Sequence, residues 1–348
     1  MTSSGPSRYR FLLALTLPSA PVVGYLIGNN FSTLIYGIVV VGLLDFVVGR
    51  DRSNVPPEAL PALEKDVFYR AILYLCTALD LSLIVWGAAV VAPGALSPIQ
   101  TLGLMLSVGF VTGAQGITFA HELGHARSKF DQLLAKVLLT AVCYGHFFIE
   151  HNRGHHVRVA TPEDPASARF GESFYAFYPR TLAGSWMSAW RLESERLRRH
   201  GRRFVGWRNQ MLWFTALPVL VAAGFWLAWG PIAALFFFVQ SWMALTLLEA
   251  VNYVQHYGLS RRRLENGGYE RFGHGHSWNA SETLTNSFLI HLQRHSDHHE
   301  IPSRPYQALM HYEDAPQLPT GYSGMLPIAF VPPLWFAVMN PRVEAAAR

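Results

Sequence analysis

"SPIQTLGLMLSVGFVTGAQGITFA" (97–120) runs without a break into "HELGHARSKF" (121–130). The first stretch carries no charged residue and matches the ~20 residues needed to cross the hydrocarbon core of a bilayer. The second places His121 and His125 four apart, one above the other on a helix face. A membrane helix that leads directly into a pair of metal-ligand residues decides how the rest of the chain is read.

Five other apolar blocks are also near membrane-spanning length. They are "FLLALTLPSAPVVGYLIG" (11–28), "FSTLIYGIVVVGLLDFVVG" (31–49), "YRAILYLCTALDLSLIVWGAAVVA" (69–92), "MLWFTALPVLVAAGFWLAW" (211–229) and "IAALFFFVQSWMALTLLEAVNYV" (232–254). Hydrophobic residues make up 51% of the 348, and charged residues only 15%, well below a soluble domain. The chain reads as an all-α integral membrane protein with six transmembrane helices, a single domain over residues 1–348. Cys76 and Cys143 are far apart and Cys76 falls inside a span, so neither a disulfide framework nor a cysteine metal site is expected. The first span is long for a signal peptide and is followed at once by another, as in a retained helical hairpin.

Charge placement orients the spans. The connections "NN", "PGAL" and "GP" are nearly uncharged, whereas "GRDRSNVPPEALPALEKDVFYR", the long segment after the fourth span and "SRRR" (260–263) are rich in arginine. The positive-inside rule puts the arginine-rich segments and both termini in the cytoplasm. Segments 121–210 and 255–348 then form a cytoplasmic, histidine-rich cap. "LLAKVLLTAVCYGHFFI" (133–149) is short for a span, and a crossing there would put "HELGH" and "HNRGHH" on opposite faces, so it reads as re-entrant or interfacial. "GMLPIAFVPPLWFAVM" (324–339), with three prolines, is expected to lie on the surface.

Nine of the fifteen histidines cluster at the cytoplasmic ends of the spans. They are His121 and His125; His151, His155 and His156 in "HNRGHH"; His256 just past the sixth span; and His295, His298 and His299 in "HSDHH". His–Glu–x–x–His alone is a zinc-protease signature, but a catalytic zinc takes three protein ligands and keeps one position open. Nine candidates suit two metals with four or five ligands each. Imidazole serves iron, zinc and copper alike, and a pair of redox metals at a membrane surface points to oxygen chemistry. A histidine-rich transporter would need polar residues along its spans, which offer little beyond Asp80 and Gln240.

Each ligand needs a partner on its second ring nitrogen. Glu122, Glu150, Glu249, Asn252, Asp297 and His291 are the candidates for this second layer, with His274 and His276 nearby. For Asp164 a solvated carboxylate is the better reading. Phe236, Phe237, Phe238 and Trp242 are candidates to line a substrate pocket among the spans. Segment 173–203 mixes aromatics with a basic end and suits the anionic membrane surface. Basic residues that flank spans argue against nucleic-acid binding.

"HELGH", "EHNRGHH", "NYVQHYGL" and "LQRHSDHH", in this order and spacing, together with "HSWN" (276–279) and the tail 315–343, resemble the integral-membrane alkane monooxygenases. These belong to a histidine-rich superfamily that includes membrane fatty-acid desaturases and xylene monooxygenase. The resemblance covers the chain from about residue 30 onward. It implies a non-haem di-iron centre that hydroxylates the terminal carbon of medium-chain n-alkanes, with the nine clustered histidines as iron ligands; a desaturase, or a hydroxylase of a fatty acid, terpene or alkyl-aromatic, is the alternative within the superfamily. It also implies O2 as co-substrate, electrons from rubredoxin and its reductase, and a place in the bacterial inner membrane. The arginines of 173–203 and 261–263 would then be available to steer a small acidic partner. Gln255 stands where the family usually has Glu, and Ala126 where it usually has a basic residue; neither change removes a ligand.

Overall fold

The computed structural model describes residues 8–346. Among the described residues all regular secondary structure is helical, and the connections carry only isolated bridges between extended segments. Five helices are long and apolar enough to cross a membrane: α1 (Arg8–Leu26), α3 (Val67–Val91), α4 (Pro98–His125), α8 (Gln210–Trp229) and α9 (Pro231–His256). The apolar helix α2 (Ser32–Val48) is shorter and fills the remaining place in the expected set of six. The protein is therefore a multi-pass membrane protein.

Local chemistry accounts for where these helices start. Asp66 caps α3 by accepting from Phe68 N, and Ser97 and Gln100 form a reciprocal capping box before Pro98 at the first turn of α4. Asn209 caps α8. Gly230, at φ 83°, ends α8 and lets the chain reverse into α9, a backbone conformation that side chains with a Cβ disfavour.

α4 is the central helix. Of its apolar window, 83% is buried inside the protein, against 22% for α8. It packs along α9 through small residues. A Cβ on Gly113 would lie 2.7 Å from Ala244 Cα, so the two backbones touch as only small residues permit. Both helices run on, α4 through a π turn at Thr112–Ile117, to finish in His125 and His256.

The cap is built on these rods. Helix α5 (Lys129–Ala141) leaves α4, and the chain turns back through Cys143, at φ 57°, into α6 (residues 147–158). His125 and His151 end up 3.1 Å apart, so segment 133–149 returns to its own side of the membrane and does not cross. Helix α7 (Phe174–Arg199) buries Phe174, Phe177, Thr181, Ser185, Ser188 and Glu193 at helical spacing and lies across the cap.

Short helices α10 (Thr283–Phe288) and α11 (His295–Glu300) follow. Asp45 near the end of α2 accepts from Leu284 N at 2.8 Å and Thr285 N at 3.1 Å, which fixes the start of α10 against the second span. The tail differs from expectation. It forms α12 (Tyr322–Ala329) and α13 (Pro332–Ala346), whose Met325, Trp335 and Met339 are buried against Tyr253 and Tyr257. Its prolines break it into two helices whose apolar faces pack on the end of α9 instead of lying on the surface.

Candidate metal centre

The structure brings all nine clustered histidines together in two adjacent groups. The first contains His121, His125, His151, His156 and His298; the second contains His155, His256, His295 and His299. Within each group the offered ring nitrogens lie within 4.8 Å of one another. Every one of the three sequence clusters contributes to the first group. The second takes its members from α6, α9 and α11.

The division of "HNRGHH" follows from a local irregularity. His151–His155 form a π turn, in which the backbone closes i to i+5. In a regular α-helix, residue i+5 sits about 140° around from i, while i+4 lies over it. Widening the turn brings His156 over His151, with Nε2 atoms 3.0 Å apart, and frees His155 to face the second group. A second π turn, Thr112–Ile117, lies just before His121 on α4 and adjusts its face in the same manner.

The nitrogen spacing tests whether a metal fits. In the first group the Nε2 pairs His125–His151, His151–His156 and His156–His298 are 3.1, 3.0 and 3.2 Å apart. In the second, His256–His295 and His295–His299 are 3.1 and 3.0 Å apart. Hydrogen bonds cannot satisfy the first chain. A neutral imidazole nitrogen carries either a proton or a lone pair, so three contacts among four nitrogens share at most two protons. A cation serves all of them. With metal–nitrogen bonds of about 2.1 Å, neighbouring ligands at right angles would be about 3.0 Å apart and tetrahedral ones about 3.4 Å. The observed spacings fall in the range that ligands of one shared ion adopt.

Burial, and then the neighbouring imidazoles, holds His151, His156, His295, His298 and His299 well below the usual histidine range, so these rings are neutral with lone pairs free to bind. His121 Nε2 and His155 Nε2 are buried without a hydrogen-bond partner, as expected of atoms that face an ion. The residues present fit two metals. The zinc-protease reading of "HELGH" does not survive, since His121 and His125 belong to a five-imidazole set and Glu122 accepts from Tyr306 N at 3.0 Å.

Among the described residues, the carboxylate hydrogen-bonded to a clustered imidazole is Asp164, the one read from sequence as solvated. It is fully buried, with Oδ2 2.9 Å from His155 Nδ1 and 2.6 Å from the donating Ser167 Oγ. Burial pushes its carboxyl up, but the His155 imidazole and the Ser167 hydroxyl outweigh that and hold it below the ordinary value. The signal for it was present in the Asp164–Ser167 turn that follows the His155 segment.

The other expected partners make different bonds. Glu150 accepts from Arg158 at 2.6 Å, and Asp297 from Arg304, Tyr312 and Met310 N, so both secure the scaffold beneath the ligands. Glu249, inside α9, accepts from Tyr144 at 2.5 Å, Thr181 at 2.9 Å and Asn252 at 3.3 Å, tying α7 and the α5–α6 turn to α9. His291 engages Arg10 Nη2 through Nε2 and the Tyr306 carbonyl through Nδ1, which anchors α1 to the cap. His274 and His276 bond to Glu300 and Glu270.

A narrow cavity of about 90 Å³ runs between α1, α2, α4 and α9. Its wall is almost wholly apolar, with Leu17, Val41, Phe110, Ile117, Leu248 and Val251 along it, and it ends at His121, His151 and His295, members of both groups. Of the aromatics expected to line such a pocket, none lines this one. Phe236 and Phe237 are buried in interhelical packing, and Phe238 and Trp242 are 47% and 54% exposed on the outside. Helical spacing alone could not separate packing aromatics from lining ones. Gln255 does line the cavity and donates to Tyr322 Oη at 2.5 Å.

Comparison with known proteins places the chain. The fatty acid desaturase family matches residues 96–328, which contain all nine histidines. Alkane 1-monooxygenase 2 of Pseudomonas aeruginosa is 49% identical over 91% of this chain and 85% of its own length. The chain belongs to the fatty acid desaturase family, among its alkane 1-monooxygenases. Alkane 1-monooxygenase 1 of Alcanivorax borkumensis is 40% identical over 97% of this chain and 85% of its own length. The xylene/toluene monooxygenase hydroxylase component of Pseudomonas putida is similar at greater distance, 29% identical over 70% of the chain. Membership in this family fits an oxidoreductase with a histidine-held metal centre.

Proposed function

We propose that this protein hydroxylates the terminal carbon of medium-chain n-alkanes to give 1-alkanols. It would use O2 and electrons from reduced rubredoxin, at a non-haem di-iron centre held by the nine histidines. The observation that carries the reading is the apolar cavity among the spans that ends between the two histidine groups. The bacterial inner membrane, with the histidine cap and both termini in the cytoplasm, is the setting that the arginine-rich connections favour.

The reaction, R–CH3 + O2 + 2 electrons + 2 protons to R–CH2OH + H2O, needs an oxidant because an alkane methyl offers no proton that a side chain can remove. Two bound irons would supply it by using the donated electrons to activate O2. The protein's own share is positioning and exclusion. Leu17, Val41, Phe110 and Val251 hold the chain of the substrate by burial alone, which leaves the methyl end as the part that reaches His121, His151 and His295. The same wall keeps bulk water from the reacting end. Asp164 holds the proton of His155 on Nδ1 and so points the Nε2 lone pair at the second group.

The test is direct. Purified protein in detergent or nanodiscs, given n-octane, O2, rubredoxin, its reductase and NADH, should form 1-octanol and contain close to two irons per chain. Product oxidised only at internal carbons, or a chain that binds one zinc and no iron, would refute the proposal.

A further inference from the structure

A second apolar cavity, of about 480 Å³, opens between α3, α5, α8 and α9. None of the nine clustered histidines borders it, so it is separate from the metal centre. Leu81, Val85 and Val137 line one side and Leu217, Val221 and Phe225 the other. On α8 its lining runs from Gln210 to Phe225 along one stripe of the helix, a length of roughly 22 Å. That is more than the hydrocarbon depth of one leaflet, about 15 Å. Val85, Leu133 and Trp213 are exposed, so the cavity is a groove open to lipid. The end of the groove nearest the cap is basic. Half-buried Lys136 borders it there. Its Nζ lies 4.5 Å from the centre of the Phe148 ring, and among the described residues no carboxylate or hydrogen-bond acceptor contacts it. Burial and then Arg153 hold this amine below the usual lysine range, with Glu193 opposing them. Glu193 is itself occupied, by Arg196 at 2.6 Å, Gln210 N at 2.9 Å and Arg153 at 3.5 Å.

The loop 201–208 is tied to the same end of the groove. Trp213, in the groove wall, donates from Nε1 to the Trp207 carbonyl at 2.8 Å, and Arg196 donates to the Arg208 carbonyl at 2.7 Å. The loop carries Arg202, Arg203 and Arg208 and no acidic residue. Phe204, Val205 and Trp207 are exposed between these arginines. Apolar side chains among unopposed arginines suit the level of the lipid headgroups. We propose that the groove binds one anionic phospholipid, with an acyl chain between α5 and α8, its phosphate at Lys136 and its headgroup in the field of the loop arginines. The phosphate supplies the counter-charge that Lys136 lacks. A zwitterionic headgroup would bring its own cation against Lys136 and the arginines, like charge on like. The bound chain also fills the gap between α3, α5 and α8, and so braces the helix that carries the chain from His125 back toward His151. Nothing in this site depends on the chemistry proposed for the histidines.

The test is lipid retention by the delipidated full chain in a neutral detergent, read by native mass spectrometry and by the unfolding temperature. The probes are phosphatidylglycerol and phosphatidylcholine with the same acyl chains. One phosphatidylglycerol per chain should be retained, more than about tenfold better than phosphatidylcholine, and should raise the unfolding temperature. Lys136→Gln should cut that preference about fivefold, the effect of one basic residue facing an anionic headgroup, and Lys136→Arg should restore it. Leu217→Trp fills the groove and should weaken retention of both lipids. Arg262→Gln with Arg263→Gln, basic residues that do not border the groove, should change nothing. Helix content by circular dichroism should be kept in each variant; if Leu217→Trp does not fold, the Lys136 pair decides. Equal retention of the two lipids, an unchanged preference in Lys136→Gln, displacement by glycerol phosphate alone, or retention of oleate in place of phospholipid would overturn the proposal.

Discussion

Asp164 offers the sharpest test of the site's construction. Its Oδ2 accepts from both His155 Nδ1 and Ser167 Oγ, and its Oδ1 accepts from Ala166 N at 3.2 Å. Asp164→Asn retains one acceptor oxygen. The less costly orientation keeps that oxygen toward His155 and Ser167 and turns the amide nitrogen against the Ala166 N–H, a donor facing a donor. The imidazole stays oriented but loses the negative charge that raises its basicity. Asp164→Ala removes both acceptors, leaves the buried Nδ1–H and the Ser167 hydroxyl without partners, and frees the ring to rotate. Loss of a partner of this kind lowers metal affinity by about 10- to 100-fold, or about 1.4 to 2.8 kcal/mol. The geometry assigns Asn to the lower end and Ala to the upper. Only the second group contains His155, so only one of the two metals should be affected. Titration of metal-free protein with ferrous ion against a chelator of known affinity should show two classes of site, the second weakened by Ala more than by Asn. Equal weakening of both classes, or two unaltered classes in Asp164→Ala, would refute the reasoning.

Other consequences are as specific. His156→Ala and His155→Ala are neighbours in sequence but belong to different groups, so each should lower bound iron from about two to about one per chain while leaving a different site intact by titration; a shared phenotype would contradict the division made by the π turn. Phe110→Ala enlarges the cavity wall and should shift the preferred alkane toward longer chains, read by competition among n-alkanes, with iron content unchanged. Gly113→Val drives a branched side chain into Ala244 and should cost about 1–3 kcal/mol, seen as a lower unfolding temperature in detergent. An unaltered transition there would mean that α4 and α9 are not in contact as described.

The spans and the clustered histidines were legible because each rests on a pattern local in the chain. A run of twenty apolar residues and a histidine every fourth residue need no knowledge of what lies opposite. Segment 133–149 was legible for a related reason: it was too short, and its flanking clusters had to meet. What was not legible depended on three dimensions. His155 and His156 part company because of one widened turn, and nothing in "HNRGHH" dictates that an α-helix should open there. Asp164 reads as a loop carboxylate until the Ser167 turn folds it under His155. Phe236 and Phe237 cannot be told from cavity residues by spacing, since both interhelical packing and cavity lining select apolar side chains on an inward face.

The close contact of α4 with α9 ties these features together. α4 carries His121 and His125 into the first group and α9 carries His256 into the second, so the packing of two rods near Gly113 and Ala244 helps set the separation of the two groups. The same rods supply Phe110, Ile117, Leu248 and Val251 to the cavity wall. Under the proposed function, substrate and metals would be positioned by one pair of helices, and a shift that widened the cavity near Gly113 would also spread the clustered histidines. Adjustment to different chain lengths must then come from the part of the wall that carries no ligand. That part includes α2, whose π stretch Tyr36–Val40 borders the cavity at Gly37 and Ile38. On the proposed function, the fold would separate a fixed end beside the histidines, where the reacting methyl is placed, from a variable end, where only volume matters.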